Sequence, residues 1–584
     1  MDVFDILTLA GGLALFLYGM EMMGDGLKKL AGGQLESFLA RLTSNRFKGF
    51  LLGLFVTAII QTSSATTVML VGFVNSGIMK LSQTISIIMG ANIGTTVTAW
   101  LLSLTGISGD SFFLRILKPE SFTPILAVIG VIMIMAAKND KKKNIGTILV
   151  GFAILMFGME TMSGSMEGLK ESESFGRLLI MFSNPFMGII MGTVLTAIIQ
   201  SSSASVGILQ ALSLTGAIPY STAIPIILGQ NIGTTITPII SSISGNANSK
   251  RVAIACLYIK MIGVIIVALA FYLLNRIFDF SIMHENVTVL SIAIIHTAFN
   301  IISTIILMPF CKQIENNSPK SIPGGKNENN DSFSMLDERF LSMPSFAVEK
   351  SRLLVYEMVR ITKDSLISAT ELLNSYDKSR AREIEECESE IDKYEDKISA
   401  YLVKIAGREL AASDSLEVSR LLHSIGDIER ISDHSVNIMN AAKEIEEKGI
   451  SFSKYAVAEL KVITDAVKEV LTITVDSLIN GDFEQAKKVE PLVKVITKLK
   501  HKIKKNHIRR LREGECTVEL GFILSDLLPD YDRVAGHCSN IAVCLIDPEN
   551  DLLESHEYLS QLKSEEHSEF FDQYEEYKKV YSIK

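Results

Sequence analysis

The chain of 584 residues is 48% hydrophobic, with a mean hydropathy of +0.31 and a formal charge of −9. It is too long for one ordinary domain and too apolar for a uniformly soluble protein, and it has no basic stripe of the kind nucleic acid requires. The charge is also divided: residues 1–312 hold 19 Lys and Arg against 14 Asp and Glu, and the remainder holds 37 against 51.

The first part reads as a series of apolar segments about as long as a hydrocarbon layer of roughly 30 Å requires, so a multi-pass membrane protein is expected. MDVFDILTLAGGLALFLYG has no basic n-region and no nearby small-residue cleavage site, which predicts a retained helix over about 5–24. A segment over about 50–78 comes next, apolar on both flanks and polar at its centre. Crossings are predicted at about 84–104, 122–138 and 145–163, followed by a second segment of the polar-centred kind at 188–217. Further crossings are predicted at 222–244, 252–274 and 288–309. The six cysteines form no CxxC pair and read as free thiols in a reducing compartment.

Sliding the chain by 139 residues aligns GLFVTAIIQTSSAT (Gly53 to Thr66) with GTVLTAIIQSSSAS at 9 of 14 positions, and IIMGANIGTTVT (Ile87 to Thr98) with IILGQNIGTTIT at 9 of 12. One ungapped offset implies a duplicated unit, about 5–138 and 144–274. If each Gln/Ser segment is a re-entrant hairpin, each copy has three crossings and the second copy is inverted. The loop charges favour that reading. Lys28, Lys29, Arg41, Arg46, Lys48, the KNDKKKN run, Lys250, Arg251 and Lys312 then share one side. The positive-inside rule places that side, and the C-terminal half, in the cytoplasm of a cell (inner) membrane protein, with the N-terminus outside.

Irregular backbone at membrane depth survives only where it is buried in protein or lines a wet cavity. Hairpin tips expose helix N-termini that attract anions, while carbonyls and hydroxyls suit a small hard cation. Gln61, Thr62, Ser63 and Ser64, with Gln200, Ser201, Ser202 and Ser203, supply such groups. Asn92, Thr95 and Thr96, with Asn231, Thr234 and Thr235, are candidate second walls. Ser and Thr also pack membrane helices and bond back to the preceding turn, but duplication at a fixed offset favours a site. The repeated motifs hold no Lys or Arg, so an anion carried there requires co-transported cations. Lys260 is expected to snorkel, and His296, with Asn300 one turn on, to hydrogen-bond between helices.

QSSSAS (Gln200 to Ser205) and QTSSAT (Gln61 to Thr66) resemble the signature of the type II sodium/phosphate cotransporter family, over roughly residues 5–310. The resemblance implies an inverted pair of hairpins, sodium-driven phosphate transport, and phosphate and sodium sites at the QTSS, QSSS and NIGTT residues.

Beyond a Pro-, Gly- and Asn-rich linker (313–345), six amphipathic helices are predicted over 346–550, then a charged tail over 551–584. DIERISDHSVNI (Asp427 to Ile438) repeats as DYDRVAGHCSNI (Asp530 to Ile541), implying two three-helix units. These stretches resemble the PhoU-like domain, in which acidic residues hold divalent or iron metal. The resemblance makes Asp427, Glu429, Asp433 and Asp532 metal candidates, with a solvated acidic face as the alternative. The fold class expected is all-α: a polytopic inverted repeat with a six-helix cytoplasmic bundle. The function expected is a sodium-coupled inorganic phosphate symporter rather than an enzyme, the alternatives being a phosphate sensor with little flux or a transporter of another oxyanion. Its partners would be phosphate, sodium as coupling ion and the lipid bilayer, with a homo-oligomer and a cytoplasmic regulator left open.

Overall fold

The computed structural model describes residues 3–31, 45–106, 118–166, 173–322, 332–408, 410–546 and 568–583. Arg41, residues 167–172, the linker residues 323–331 and the tail residues 551–567 lie outside these. Among the described residues the chain is helical, apart from one bridge between Pro219 and Asn286. It divides into two compact units, Met1–Phe340 and Leu341–Lys584.

In the first unit, α1 is Val3–Ala31, α2 Arg46–Ile60, α3 Ser63–Asn75, α4 Leu81–Gly94, α5 Thr96–Leu102 and α6 Pro119–Ala136. The second copy gives α7 Asp140–Met166, α8 Glu173–Phe182, α9 Pro185–Ile199, α10 Ser202–Leu214, α11 Tyr220–Gly233, α12 Ile236–Ser242 and α13 Ala247–Phe278. The unit closes with α14 Val289–Leu307 and α15 Cys311–Ser321. The bounds of α9, α10 and α11 are those of α2, α3 and α4 displaced by the 139 residues of the repeat. Six helices among the described residues are long and apolar enough to cross a membrane. They cover six of the seven predicted crossings. The other, 122–138, corresponds to α6, whose apolar stretch Ser121–Ala136 is shorter.

The relation between the copies is written in glycines. A Cβ on Gly12 would lie 3.1 Å from the Gly158 carbonyl, and one on Gly19 would lie 2.7 Å from that of Gly151. Gly151 and Gly158 are the repeat counterparts of Gly12 and Gly19, so the first glycine of each copy meets the second of the other. Equivalent helices α1 and α7 therefore pack antiparallel about a local twofold, which makes the repeats inverted. Within each copy the first hairpin helix lies backbone to backbone on the broken helix. A Cβ on Gly53 would sit 2.0 Å from the Ile87 carbonyl, and one on Gly192 would sit 2.1 Å from that of Ile226.

After α15, residues 332–340 pack on this same unit. Phe340 is buried with its ring 5.6 Å from that of Phe73. Asn75 donates to Asp337 at 2.8 Å, and Arg339 donates to the Ser241 carbonyl at 3.3 Å.

The second unit holds α16 Pro344–Leu372, α17 Lys378–Ala406, α18 Ala412–Lys448, α19 Lys454–Asn480, α20 Val489–Arg512 and α21 Val518–Ile546. Gly449 and Gly481, at φ +61 and +65, stop α18 and α19 in the left-handed conformation that glycine adopts most readily. A further helix, α22 Ser568–Val580, lies within the predicted tail. Its Phe570 and Tyr574 are buried, and the Lys494 ammonium lies 5.1 and 5.3 Å from their ring centres.

Candidate functional site

Both hairpins turn at a glutamine. Gln61 and Gln200 adopt φ +64 and +59, a left-handed conformation that costs a non-glycine residue on the order of 1 kcal/mol. The same strain at equivalent positions marks the tips as specified features. The next residue caps the returning helix: Thr62 Oγ1 accepts from Ala65 N at 3.4 Å, and Ser201 Oγ from Ala204 N at 3.2 Å. The exchange of threonine for serine is thus explained, because either hydroxyl serves as an N-cap. Thr57, four residues before the turn, lies 3.0 Å from Thr66 across it, so α2 and α3 fold back on each other.

The two tips meet. Ser203 of the second hairpin donates to the Gln61 carbonyl and to Thr98, each at 3.3 Å, and Thr98 donates to Gln61 Oε1 at 2.7 Å. Gln61 also donates through Nε2 to the Ala58 carbonyl. Ser63, Ser64, Ser202 and Ser203 are buried in the first turns of α3 and α10, where helix geometry leaves backbone N–H groups without intrahelical acceptors. Gln200, in contrast, is exposed.

Each NIGTT stretch breaks its helix, between α4 and α5 and between α11 and α12. The hydroxyls bond back: Thr95 to Ala91 O, Thr96 to Ile93 O, Thr234 to Asn231 O and Thr235 to Ile232 O, at 2.7 to 3.0 Å. Asn231 is buried and donates to Ile227 O at 3.3 Å, while Asn92 is half-buried. A hydroxyl that has given its one proton to a carbonyl offers only lone pairs to a ligand. These four threonines are therefore acceptors, suited to cations. The hairpin tips supply donors, suited to an oxyanion.

Sequence reasoning did not single out Thr57, Thr66 and Thr98, nor their counterparts Thr196, Ser205 and Thr237. The signal was available, since Thr98 and Thr237 close the repeated window. In the first copy these hydroxyls bond one another or Gln61. In the second, Thr196, Ser205 and Thr237 are buried without a hydrogen-bond partner.

Two expectations are corrected. Lys260 does not snorkel: it is buried, and its ammonium donates to Thr234 Oγ1. Among the described residues His296 is buried with Nδ1 unpartnered, and Asn300 donates to the His296 backbone carbonyl at 2.8 Å.

In the second unit the metal candidates separate. Asp427 accepts from His537 at 2.7 Å and from Asn540 at 3.1 Å, and Asp532 pairs with Lys500 and accepts from Thr497 at 2.8 Å. Asp530 accepts from His434 at 2.8 Å. Glu429 and Asp433 remain, facing Glu388, Asp392 and Glu395 of α17. Burial first, then mutual repulsion, holds the carboxyls of Glu388, Glu429 and Asp433 above the usual range. Among the described residues no group of three or more His, Cys, Asp or Glu side chains is placed to hold a metal ion. Of the predicted set, Asp427 is engaged by a histidine and Asp532 by a lysine.

An inverted pair of polar hairpins in a multi-pass helical unit, followed by a duplicated three-helix bundle, defines a membrane transporter with an attached helical domain. The chain belongs to the Na+/Pi-cotransporter family, whose model matches residues 15–164 and 154–303, and the PhoU domain matches 355–442 and 460–545. It is 22% identical to "Putative inorganic phosphate export protein YjbB" of Salmonella typhimurium, over 94% of this chain and 98% of that one. It is 31% identical to "Uncharacterized protein YqeW" of Bacillus subtilis, over 43% of this chain and 78% of that one. It is also 36% identical to rat "Sodium-dependent phosphate transport protein 2A", over 16% of this chain and 15% of that one.

Proposed function

We propose that this phosphate transporter couples inorganic phosphate to sodium and alternates access around the meeting point of its two hairpin tips, with the C-terminal unit as a cytoplasmic regulator. The observation that carries the reading is the contact of Ser203 with Gln61 and Thr98, which joins the two inverted copies at their polar tips. Phosphate would be held by the donors of the first turns of α3 and α10, from Ser63, Ser64, Ser202 and Ser203, beside Gln61 and Gln200. Sodium would be held by acceptors: the threonines at the NIGTT breaks, with Asn92 and Asn231, and the buried hydroxyls of Thr196, Ser205 and Thr237. An unpartnered buried hydroxyl costs about 1–3 kcal/mol, which a coordinated cation would offset. Thr62 and Ser201 would act through the backbone they cap. The basic loops support a cytoplasmic C-terminal unit and an outside N-terminus, so an inward sodium gradient would drive uptake.

A second reading, export, is favoured by the name of the relative that matches over 94% of the chain. The test is radiolabelled phosphate flux in proteoliposomes under a sodium gradient of either sense, with potassium replacing sodium as control. Concentrative flux that follows the sodium gradient supports the proposal. Flux indifferent to sodium overturns the coupling, and binding without flux makes the protein a sensor.

A further inference from the structure

Lys260 is a buried lysine without a counter-ion among the described residues of the first unit. It is 5% exposed, and among the described residues its ionisable neighbours are Cys256 and His296, with no carboxylate paired to it. Thr234 gives its proton to Asn231 and turns a lone pair to the ammonium, which leaves the ammonium two further protons to donate. Isolated ammonium groups removed from water cost several kcal/mol, more than one hydroxyl recovers. Such a group persists where an anion comes to it.

The register of two helices shows where that anion would lie. Helices α3 and α13 run antiparallel. Asn246, which caps α13, bonds Asn75 at the end of α3 through both its backbone N and its Nδ2, each at 2.9 Å. Farther along, Cys256 lies against Thr67. One more turn brings Lys260 level with Ser63, in the first turn of α3, where the helix presents its unpaired N–H groups. Nearby, His296 Nδ1 is a second buried polar atom without a partner. Lys260 has no counterpart in the duplication, because Ser121 stands at the equivalent place.

We propose that Lys260 is a resident cation of the phosphate site: held by Thr234, its ammonium pairs with the bound oxyanion at the first turn of α3 and replaces one coupling sodium ion. This rests on the functional reading above and adds to it a fixed charge that the repeated motifs lack.

The test is equilibrium binding of radiolabelled inorganic phosphate to the purified full-length protein across a sodium titration, for wild type, K260M, K260Q and K260R. Loss of one partner of a desolvated charge pair predicts at least about tenfold weaker phosphate binding in K260M and K260Q. K260R should stay within a few-fold of wild type. The sodium dependence of binding should steepen in K260Q, as one more cation takes the vacated charge, a response that a purely structural lysine would not give. K260Q carries the test if K260M does not elute as a single species. Wild-type binding that K260M and K260Q leave unchanged overturns this inference alone. Failure of the wild type to bind phosphate at any sodium concentration overturns the functional reading and this inference with it.

Discussion

His537 and Asp427 form a hydrogen bond of 2.7 Å between the two three-helix halves of the second unit, and His434 and Asp530 return it at 2.8 Å in the opposite sense. The histidine rings stack at the local twofold, 5.7 Å apart. Each aspartate also takes an asparagine, Asn540 or Asn437. All six residues are repeat-equivalent pairs, so the clasp was made once and duplicated.

Asp427→Ala leaves His537 and Asn540 without their acceptor and should cost about 1–3 kcal/mol. The double variant with His537→Ala should cost less than the two single changes together, as read by thermal unfolding of the full-length protein. Strict additivity would mean that the pair contributes nothing.

The acidic face of α17 and α18 predicts the reverse sign. Carboxyls held above their ordinary range favour the folded state while protonated, and that contribution is lost as pH rises through the raised value. Asp433→Asn or Glu429→Gln should therefore raise the unfolding temperature at about pH 7, with the gain fading as pH falls below the ordinary carboxylate values of about 4. An equal gain at both values would show that charge is not the cause.

Glycine positions separate by what a methyl group would meet. Gly53→Ala drives Cβ to 2.0 Å from a carbonyl and should abolish recovery of inserted protein. Gly536→Ala, with nothing within 4 Å, should stabilise α21 by up to about 1 kcal/mol. Membrane yield for the first and melting temperature for the second are the readouts.

At the tips, Ser203→Ala removes the serine bonds that join the two hairpin tips and should lower sodium-driven phosphate flux about tenfold in intact, inserted protein. Thr62→Ser should leave flux near wild type because the cap survives, whereas Thr62→Ala loses about 1 kcal/mol of capping. Equal flux in Ser203→Ala and wild type would remove Ser203 from the site.

Much of this was legible because duplication converts weak signals into strong ones. The fixed offset exposed the Gln/Ser tips and NIGTT breaks, and hydropathy exposed the spans. Burial was not legible. Lys260 looks the same in sequence whether it snorkels or points inward, and Asp427 looks the same whether it faces a metal or a histidine on a helix 110 residues away. Thr98 was passed over because one threonine in an apolar helix carries no local sign of its partner. The helix at Ser568–Val580 was read as tail because its charges outnumber the two aromatic rings that dock it.

Asp337, Arg339 and Phe340 belong to neither copy, yet they bind both: Asn75 ends a helix of the first, and Ser241 lies in the second. Drawing the end of α3 away from this segment would uncover the Phe340 ring that packs on Phe73, at a cost of about 2 kcal/mol, or roughly thirtyfold in population. A duplicated and inverted machine starts with two faces of equal standing. This short appendage removes that parity, because one segment outside the duplication is bonded to both copies.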